Sequence, residues 1–455
     1  MAKLDIKDAA FHFLRAVSGP TDMYGIYVFD AEDAVPPTFE AIEAHVVARR
    51  PVVPGLNIVL REAPLGLDFP SWVPSAGDTA DHLSDHDLTG TSWPECQTRI
   101  SSILEVGLDA RVRAWHLHVL RGVRDVPTVD GAATVVVLQV SHAMTDGLGL
   151  TRIASALFAP PGTPDDVVGA ALPGHAPVRR PRAPILAATA SVLATPIRLA
   201  RYGLHIRSAR KRYAASRSQL APPVRPGPST RLTVDPTGSR AVHIVPLPAS
   251  ALRGRGVPVT AAALAAVASA TEKYLRAHGD DIPDVLNASV PVSLGPDIEW
   301  SSANRALSCM VDLHLGESDP TKRARLIAES VVAERRRVTS PELLDIARAE
   351  ELLPAPVVLA AQRLRQRRKT VRPTTFWTHT NVVSVDRGRT RPMLELCGSR
   401  VTFTSGTPML AENRPLVHGF FGGGDIITVV VLACPDVVPD HEKYVESLID
   451  SIREL

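Results

Sequence analysis

The sequence predicts an α/β protein of two lobes joined by a long linker, and three observations carry that expectation. The chain has 455 residues, and single hydrophobic cores stop growing near about 250–300 residues. Short β-branched apolar runs alternate with segments of helical spacing in both halves, the pattern of sheets covered by helices. Between the halves lies a stretch crowded with prolines.

Residues 1–165 form the expected N-terminal lobe. Its clearest strand is Ala133–Val140, an apolar, β-branched run that reads as buried. The loop Ser141–Gly147 follows, and then Leu148–Phe158, where Leu150, Ile153, Leu157 and Phe158 recur at helical spacing. Residues 166–230 form the expected linker, within a stretch where prolines from Pro160 to Pro228 break any long regular element. No acidic residue occurs between Asp166 and Asp235, whereas Arg198, Arg201, Arg207, Arg210, Lys211 and Arg212 all fall there. Within this basic stretch Leu199, Tyr202, Ile206, Ala209 and Tyr213 keep three-and-four spacing. Two readings fit: an amphipathic helix lying on an anionic membrane or lipid droplet, or a helix packed across both lobes with a solvated basic face.

Residues 231–455 form the expected C-terminal lobe. Thr260 is placed to cap a helix running to about His278, with Gly279 as its stop. Strand-like runs follow at Val285–Leu294, Val401–Thr404 and Ile426–Ala433, and a last helix begins near His441, capped by Asp440.

Composition excludes several classes. A net charge of +2 and a pI near 8.4 leave no broad basic field, so nucleic acid is not an expected partner. Cys96, Cys309, Cys397 and Cys434 lack the paired spacing of a zinc site or a disulfide framework, which points to a reducing, cytoplasmic compartment. Charges at Lys3, Asp5, Lys7 and Asp8 interrupt the apolar run a signal peptide needs. The uncharged stretch Ala183–Ile197 is shorter than the ~20 apolar residues of a membrane span.

The chemistry concentrates in Ser141-His142-Ala143-Met144-Thr145-Asp146-Gly147, an HxxxDG pattern directly after a buried strand. Acyl transfer to an alcohol needs a base that takes the hydroxyl proton as oxygen attacks, and a neutral imidazole has a pKa near working pH. His142 is the candidate base. Asp146 is expected to fix the loop through backbone donors or an Arg, and Gly147 to allow a backbone conformation that a side chain would obstruct. Chance alone produces such a pattern in roughly one chain of this length in twenty, so the motif by itself decides little. Elsewhere, His116 and His118 share one face of a strand after Trp115 but have no third ligand nearby in sequence, which favours satisfied histidines over a metal pair. Gly422-Gly423-Gly424 lacks the Lys and Ser or Thr of a phosphate loop and reads as a turn between strands.

Several further segments carry a family resemblance. Leu4 with Asp8-Ala9-Ala10-Phe11, Met23, Pro70 with Trp72-Val73, Asp81-His82, Leu108-Asp109 with Trp115, Val290-Pro291-Val292-Ser293, Asn304-Arg305 and Asn381-Val382 keep an order and spacing. In these the chain resembles the bacterial wax ester synthase/diacylglycerol acyltransferase family from end to end. The resemblance implies two chloramphenicol-acetyltransferase-like lobes, each a mixed sheet with flanking helices, joined by a long crossover. It implies His142 as base at the lobe interface, facing a tunnel, with Asp146 organising its loop. Asn381, Trp115 and Asn304 carry over as substrate-binding positions, and Ser141 and Gly147 as supporting the motif. The implied substrates are acyl-CoA and a lipid alcohol, diacylglycerol or fatty alcohol, with no metal and no cofactor. The expected location is the cytoplasm, with a peripheral place at the inner membrane or lipid droplets on the first reading of the basic helix. The chain departs from the family pattern where Ser141 replaces the first His, where Arg113-Ala114 replaces Pro-Leu, and where Thr260-Ala261 replaces Asn-Asp. Those departures keep open a carrier-bound donor or polyketide alcohol, and a lipid-binding relative without catalysis.

Overall fold

Ala133–Val140 is buried at every position, because it runs inside a six-stranded sheet with a partner on each side. A strand covered on both faces needs an almost continuous apolar run, and its sequence supplies one. The computed structural model describes residues 3–32, 35–53, 55–164, 184–225, 227–369, 379–383 and 394–455.

The first part of the chain forms α1 (Ile6–Ser18), β1 (Met23–Asp30), α2 (Phe39–Arg49), β2 (Ile58–Arg61), β3 (Ser71–Pro74), β4 (Leu83–Asp87), α3 (Trp93–Leu104), β5 (Trp115–Val123), β6 (Ala133–Val140) and α4 (Gly147–Leu157). Helices α5 (Pro184–Leu193) and α6 (Thr195–Ser216) follow. The remainder forms β7 (Ala241–Pro248), α7 (Val259–Ala277), β8 (Asn287–Ser293), β9 (Ala306–Asp312), α8 (Pro320–Val338), α9 (Pro341–Ala349), α10 (Ala355–Lys369), β10 (His379–Val383), β11 (Glu395–Leu396), β12 (Ser399–Thr407), β13 (Leu416–Gly423), β14 (Ile426–Ala433) and α11 (His441–Arg453).

Two mixed six-stranded sheets result. The first has the order β11-β12-β1-β6-β5-β4, and the second β7-β14-β13-β10-β8-β9. Helices α2 and α4 contribute to one core on the first sheet, where Ile42, Val46, Ile153 and Leu157 meet Val136, Leu138 and Val140. Helices α7 and α11 pack on the second sheet through Leu264, Val267, Tyr444 and Leu448. A third core joins the two sheets, with Ile26, Val28, Val135 and Val137 facing Val242, Ile244, Val430 and Leu432. Each such fully buried aliphatic side chain contributes about 1.5–3 kcal/mol.

Three sequence expectations change. Val401–Thr404 belongs to β12, which pairs with β1 from Tyr24 opposite Thr407 to Asp30 opposite Arg400, so this late segment completes the first sheet rather than the second lobe. An unpaired edge on β1 would expose a row of backbone donors and acceptors, and nothing local in a strand names its partner. The stretch of the proline-rich linker read as helical is the 22-residue α6; its Pro196 sits in the first turn, where a missing N–H costs nothing. The helix expected from Thr260 starts at Val259, with Pro258 in the capping position. Asp440 does precede α11, but it forms no side-chain cap and its carboxylate meets His278 Nε2 at 3.3 Å instead.

Candidate active site

Strand β6 ends at Val140, and the N–H of Ser141 donates to the Ala114 carbonyl at 2.8 Å, so the chain leaves the sheet tied to the start of β5. Met144 N–H closes a turn on the Ser141 carbonyl at 2.9 Å. Ser141, Thr145 and Asp146 are buried, while His142 keeps a partly exposed fraction.

Asp146 fixes the loop from both sides. Its Oδ1 accepts from Gly149 N–H at 2.9 Å, capping α4, and its Oδ2 accepts from Arg305 N–H at 2.9 Å, across in the second lobe. The Arg305 guanidinium in turn donates to the carbonyls of Gly295 at 2.8 Å and Ile298 at 2.7 Å, holding the loop that reaches back to the motif. Gly147 departs from expectation: its φ is not positive, and a Cβ there would meet nothing within 4 Å. Gly149 is the glycine that sterics require, because a Cβ there would run into the Thr145 side chain. The signal lay in the sequence two residues further on.

The imidazole of His142 lies flat against the Phe11 ring of α1, with centroids 3.8 Å apart and planes 5° apart. Its Nδ1 is buried without an aligned hydrogen bond. Oxygen groups near the ring, namely its own carbonyl, the Asp146 carboxylate, the Asn304 side chain and the Thr145 carbonyl, all favour its protonated form. Burial outweighs them and pushes the His142 pKa below the ordinary histidine value. The ring is therefore neutral near pH 7. A neutral imidazole keeps one ring-nitrogen lone pair for chemistry.

Asn304 is 7% exposed and connects three pieces. Its Nδ2 donates to the His142 carbonyl at 2.9 Å and to Asp8 Oδ1 at 2.8 Å. Asp8, also buried, accepts from Ser302 Oγ at 2.5 Å, Ala303 N–H at 3.0 Å and Asn304 N–H at 3.1 Å. Sequence reasoning assigned Asp8 and Phe11 no role in the site, although their spacing of three places both on one face of a helix.

Trp115 stands elsewhere than a substrate contact would. It is fully buried, donates Nε1–H to the Leu56 carbonyl at 2.9 Å and stacks on His82 at 4.4 Å, so it walls the core behind β6. Asn381 lies in β10, where its backbone pairs with Ser289 of β8; its side chain lies outside the described residues. His116 bonds Ser84 Oγ at 2.8 Å, and His118 bonds Gln139 Oε1 at 3.2 Å and His86 at 3.4 Å. Among the described residues no three His, Cys, Asp or Glu side chains are grouped to hold a metal. Gly422 and Gly423 end β13, paired with Ile427 and Ile426 of β14, and only Gly424 lies in the turn, with Asp425.

The comparisons agree with this architecture. The chain matches a Marinobacter aquaeolei wax ester synthase/diacylglycerol acyltransferase structure at 18% identity, covering 100% of this chain and 98% of that one, with a TM-score of 0.66. A trichothecene 15-O-acetyltransferase from Fusarium sporotrichioides matches over 99% of this chain and 95% of that one, at 12% identity and a TM-score of 0.55. Both likenesses place the two lobes in the chloramphenicol-acetyltransferase-like fold. A provisionally named diacylglycerol O-acyltransferase of Mycobacterium tuberculosis is 25% identical over 348 residues, 70% of this chain and 69% of that protein. The wax ester synthase/diacylglycerol acyltransferase catalytic domain model matches residues 4–254 and the C-terminal domain model residues 302–455. The chain therefore belongs to the wax ester synthase/diacylglycerol acyltransferase family.

Proposed function

We propose that His142 is the general base of an acyl transfer from acyl-CoA to a lipid alcohol. Membership of the family makes the chain an acyl-CoA-dependent O-acyltransferase producing wax ester or triacylglycerol. The observation that carries the assignment of the base is the placement of His142 at the lobe interface, its ring stacked on Phe11 and its carbonyl held by Asn304 from the second lobe, with burial favouring the neutral imidazole. In the step we envisage, the unprotonated ring nitrogen takes the hydroxyl proton as the alcohol oxygen adds to the thioester carbonyl. The tetrahedral adduct then collapses, the C–S bond breaks, and the imidazolium returns the proton to the CoA sulfur. Ser141 takes no covalent part. The thioester brings its own activation, so the step runs between the two substrates and His142 without a further cofactor.

Asp146 acts on this reading as organiser of the loop, and Asn304 as its anchor. Asn381, on β10 of the second sheet, remains the candidate polar group near the acyl site. We assign acyl-CoA and alcohol to opposite approaches to His142 along the lobe interface. The test is donor choice. Purified protein with hexadecanol or 1,2-dioleoylglycerol should form ester from palmitoyl-CoA and not from the palmitoyl group on an acyl carrier protein. Ester formed only from the carrier would replace this reading with the carrier-dependent one, and no ester from either would favour a lipid-binding role.

A peripheral lipid-surface location fits the same reading. No helix among the described residues is long and apolar enough to cross a membrane. Helix α6 is packed on one side, with Ala209 buried, Arg212 paired to Asp345 at 2.9 Å and Arg198 donating to the Leu353 carbonyl at 3.2 Å. On its outer side Ile197 and Leu204 are 66% and 73% exposed, after Leu193 at 79%, and Arg201, Arg207 and Lys211 are exposed beside them. Apolar anchors within a basic face suit anionic lipid, which also holds the poorly soluble alcohol.

A further inference from the structure

The first turns of helix α1 dock onto the second lobe. Asp5 accepts from Ser301 Oγ at 2.6 Å, Lys7 pairs with Glu351 at 2.8 Å and sits over the Trp300 ring at 4.3 Å, and Asp8 gathers Ser302, Ala303 and Asn304. One turn later Phe11 covers a face of the His142 imidazole. Asp8 and Phe11 thus meet the motif by two routes, one through the Asn304 amide to the His142 carbonyl and one directly against the ring. Together they address both ends of the residue, backbone and side chain.

We propose that Phe11 and Asp8 are positioning residues for the base: the Phe11 ring sets the plane of the His142 imidazole, and Asp8, through Asn304, sets its main chain. The inference rests on His142 being the base. Two torsions orient an imidazole; packing its face against a flat ring restricts both, while Asn304 restrains the backbone from which they start. Reaction geometry is sensitive at this scale, since a displacement of about 1 Å costs about 10²-fold in rate. Phe11 also excludes water from one face of the ring, in line with the lowered pKa. The Asp146 carboxylate is the charged group that acts on the ring.

The experiment compares Phe11→Leu, which keeps apolar volume but offers no flat face, with the parent, Lys7→Ala and His142→Ala. Ester formation from palmitoyl-CoA and hexadecanol is followed across pH, with thermal melts alongside. The expected result for Phe11→Leu is kcat lower by about ten- to a hundredfold, KM within about twofold, and an acid limb moved up toward about 6.5, the ordinary histidine value. Lys7→Ala loosens the helix without touching the base and should keep parental kcat. If Phe11→Leu does not fold, Phe11→Met, with its adaptable side chain, takes its place. Parental kcat and acid limb in the Phe11 variant, a change in KM alone, or an equal loss in Lys7→Ala would overturn the proposal while leaving the base intact. Parental activity in His142→Ala would overturn both.

Discussion

Replacing Asp146 by Ala removes one buried and one partly buried hydrogen bond at once, and the structure sets the size of the loss. The bond to Gly149 N–H caps α4, and a lost cap costs about 1 kcal/mol. The bond to Arg305 N–H crosses to the second lobe, and a partly buried donor left unpaired costs up to about 1–3 kcal/mol. The sum is about 2–4 kcal/mol of local stability. Because each 1.4 kcal/mol is about a tenfold change in an opening equilibrium, amides at Gly149 and Arg305 should exchange hydrogen about 30-fold faster or more. Amides of the second-sheet core, such as Val430 and Leu432, should be unchanged. Turnover should fall with the loop, by about 10²-fold if His142 shifts by about 1 Å. Exchange-resolved mass spectrometry on Asp146→Ala and the parent, beside their kcat values, measures both. Exchange within about threefold of the parent, or parental turnover in a protein whose loop has opened, would refute the view that Asp146 works by holding the base.

The motif glycines should separate. Gly149→Ala forces a Cβ into Thr145 and should cost about 1–3 kcal/mol, whereas Gly147→Ala, with open space around it, should melt within about 0.5 kcal/mol of the parent. Acid should destabilise the fold through neutral buried histidines. Burial holds His418 near 3 and His118 near 4, so the unfolded chain binds more protons below about 6.5 and stability falls as pH falls toward those values. His418→Leu should flatten the slope of unfolding free energy against pH by about 1.4 kcal/mol per unit between pH 6 and 5, read from urea titrations; an unchanged slope would assign the acid sensitivity elsewhere. Finally, Ile197→Glu with Leu204→Glu should reduce binding to vesicles containing phosphatidylglycerol by about tenfold or more, given about 0.8 kcal/mol for each buried methylene, while turnover of a soluble short-chain donor and alcohol stays parental. Parental sedimentation with vesicles would contradict the lipid-facing role of α6.

Periodicity exposed what local sequence encodes. Ala133–Val140 and Ile426–Ala433 coincide with β6 and β14, because a strand covered on both faces must be apolar throughout and few other elements have that composition. His142 is legible only beside the family resemblance, since the HxxxDG pattern alone arises by chance in roughly one chain of this length in twenty. What local pattern does not encode is partnership. That β12 closes the first sheet, that Asn304 reaches the His142 carbonyl across 162 residues, and that Phe11 covers its ring are facts of tertiary docking. Trp115 shows the reverse error, since a residue quoted for its family motif proved to be core. Asp440 shows a capping residue diverted by a nearby histidine.

The central claim, that a neutral His142 takes the hydroxyl proton, is tested most directly by single-turnover acyl transfer with His142→Gln, which keeps polarity and approximate size. The account predicts a rate lower by about 10² to 10⁴ at pH 7, with the acid limb of the pH profile abolished and palmitoyl-CoA binding retained. A His142→Gln protein that transfers the acyl group at the parental rate, with the parental acid limb, would contradict it.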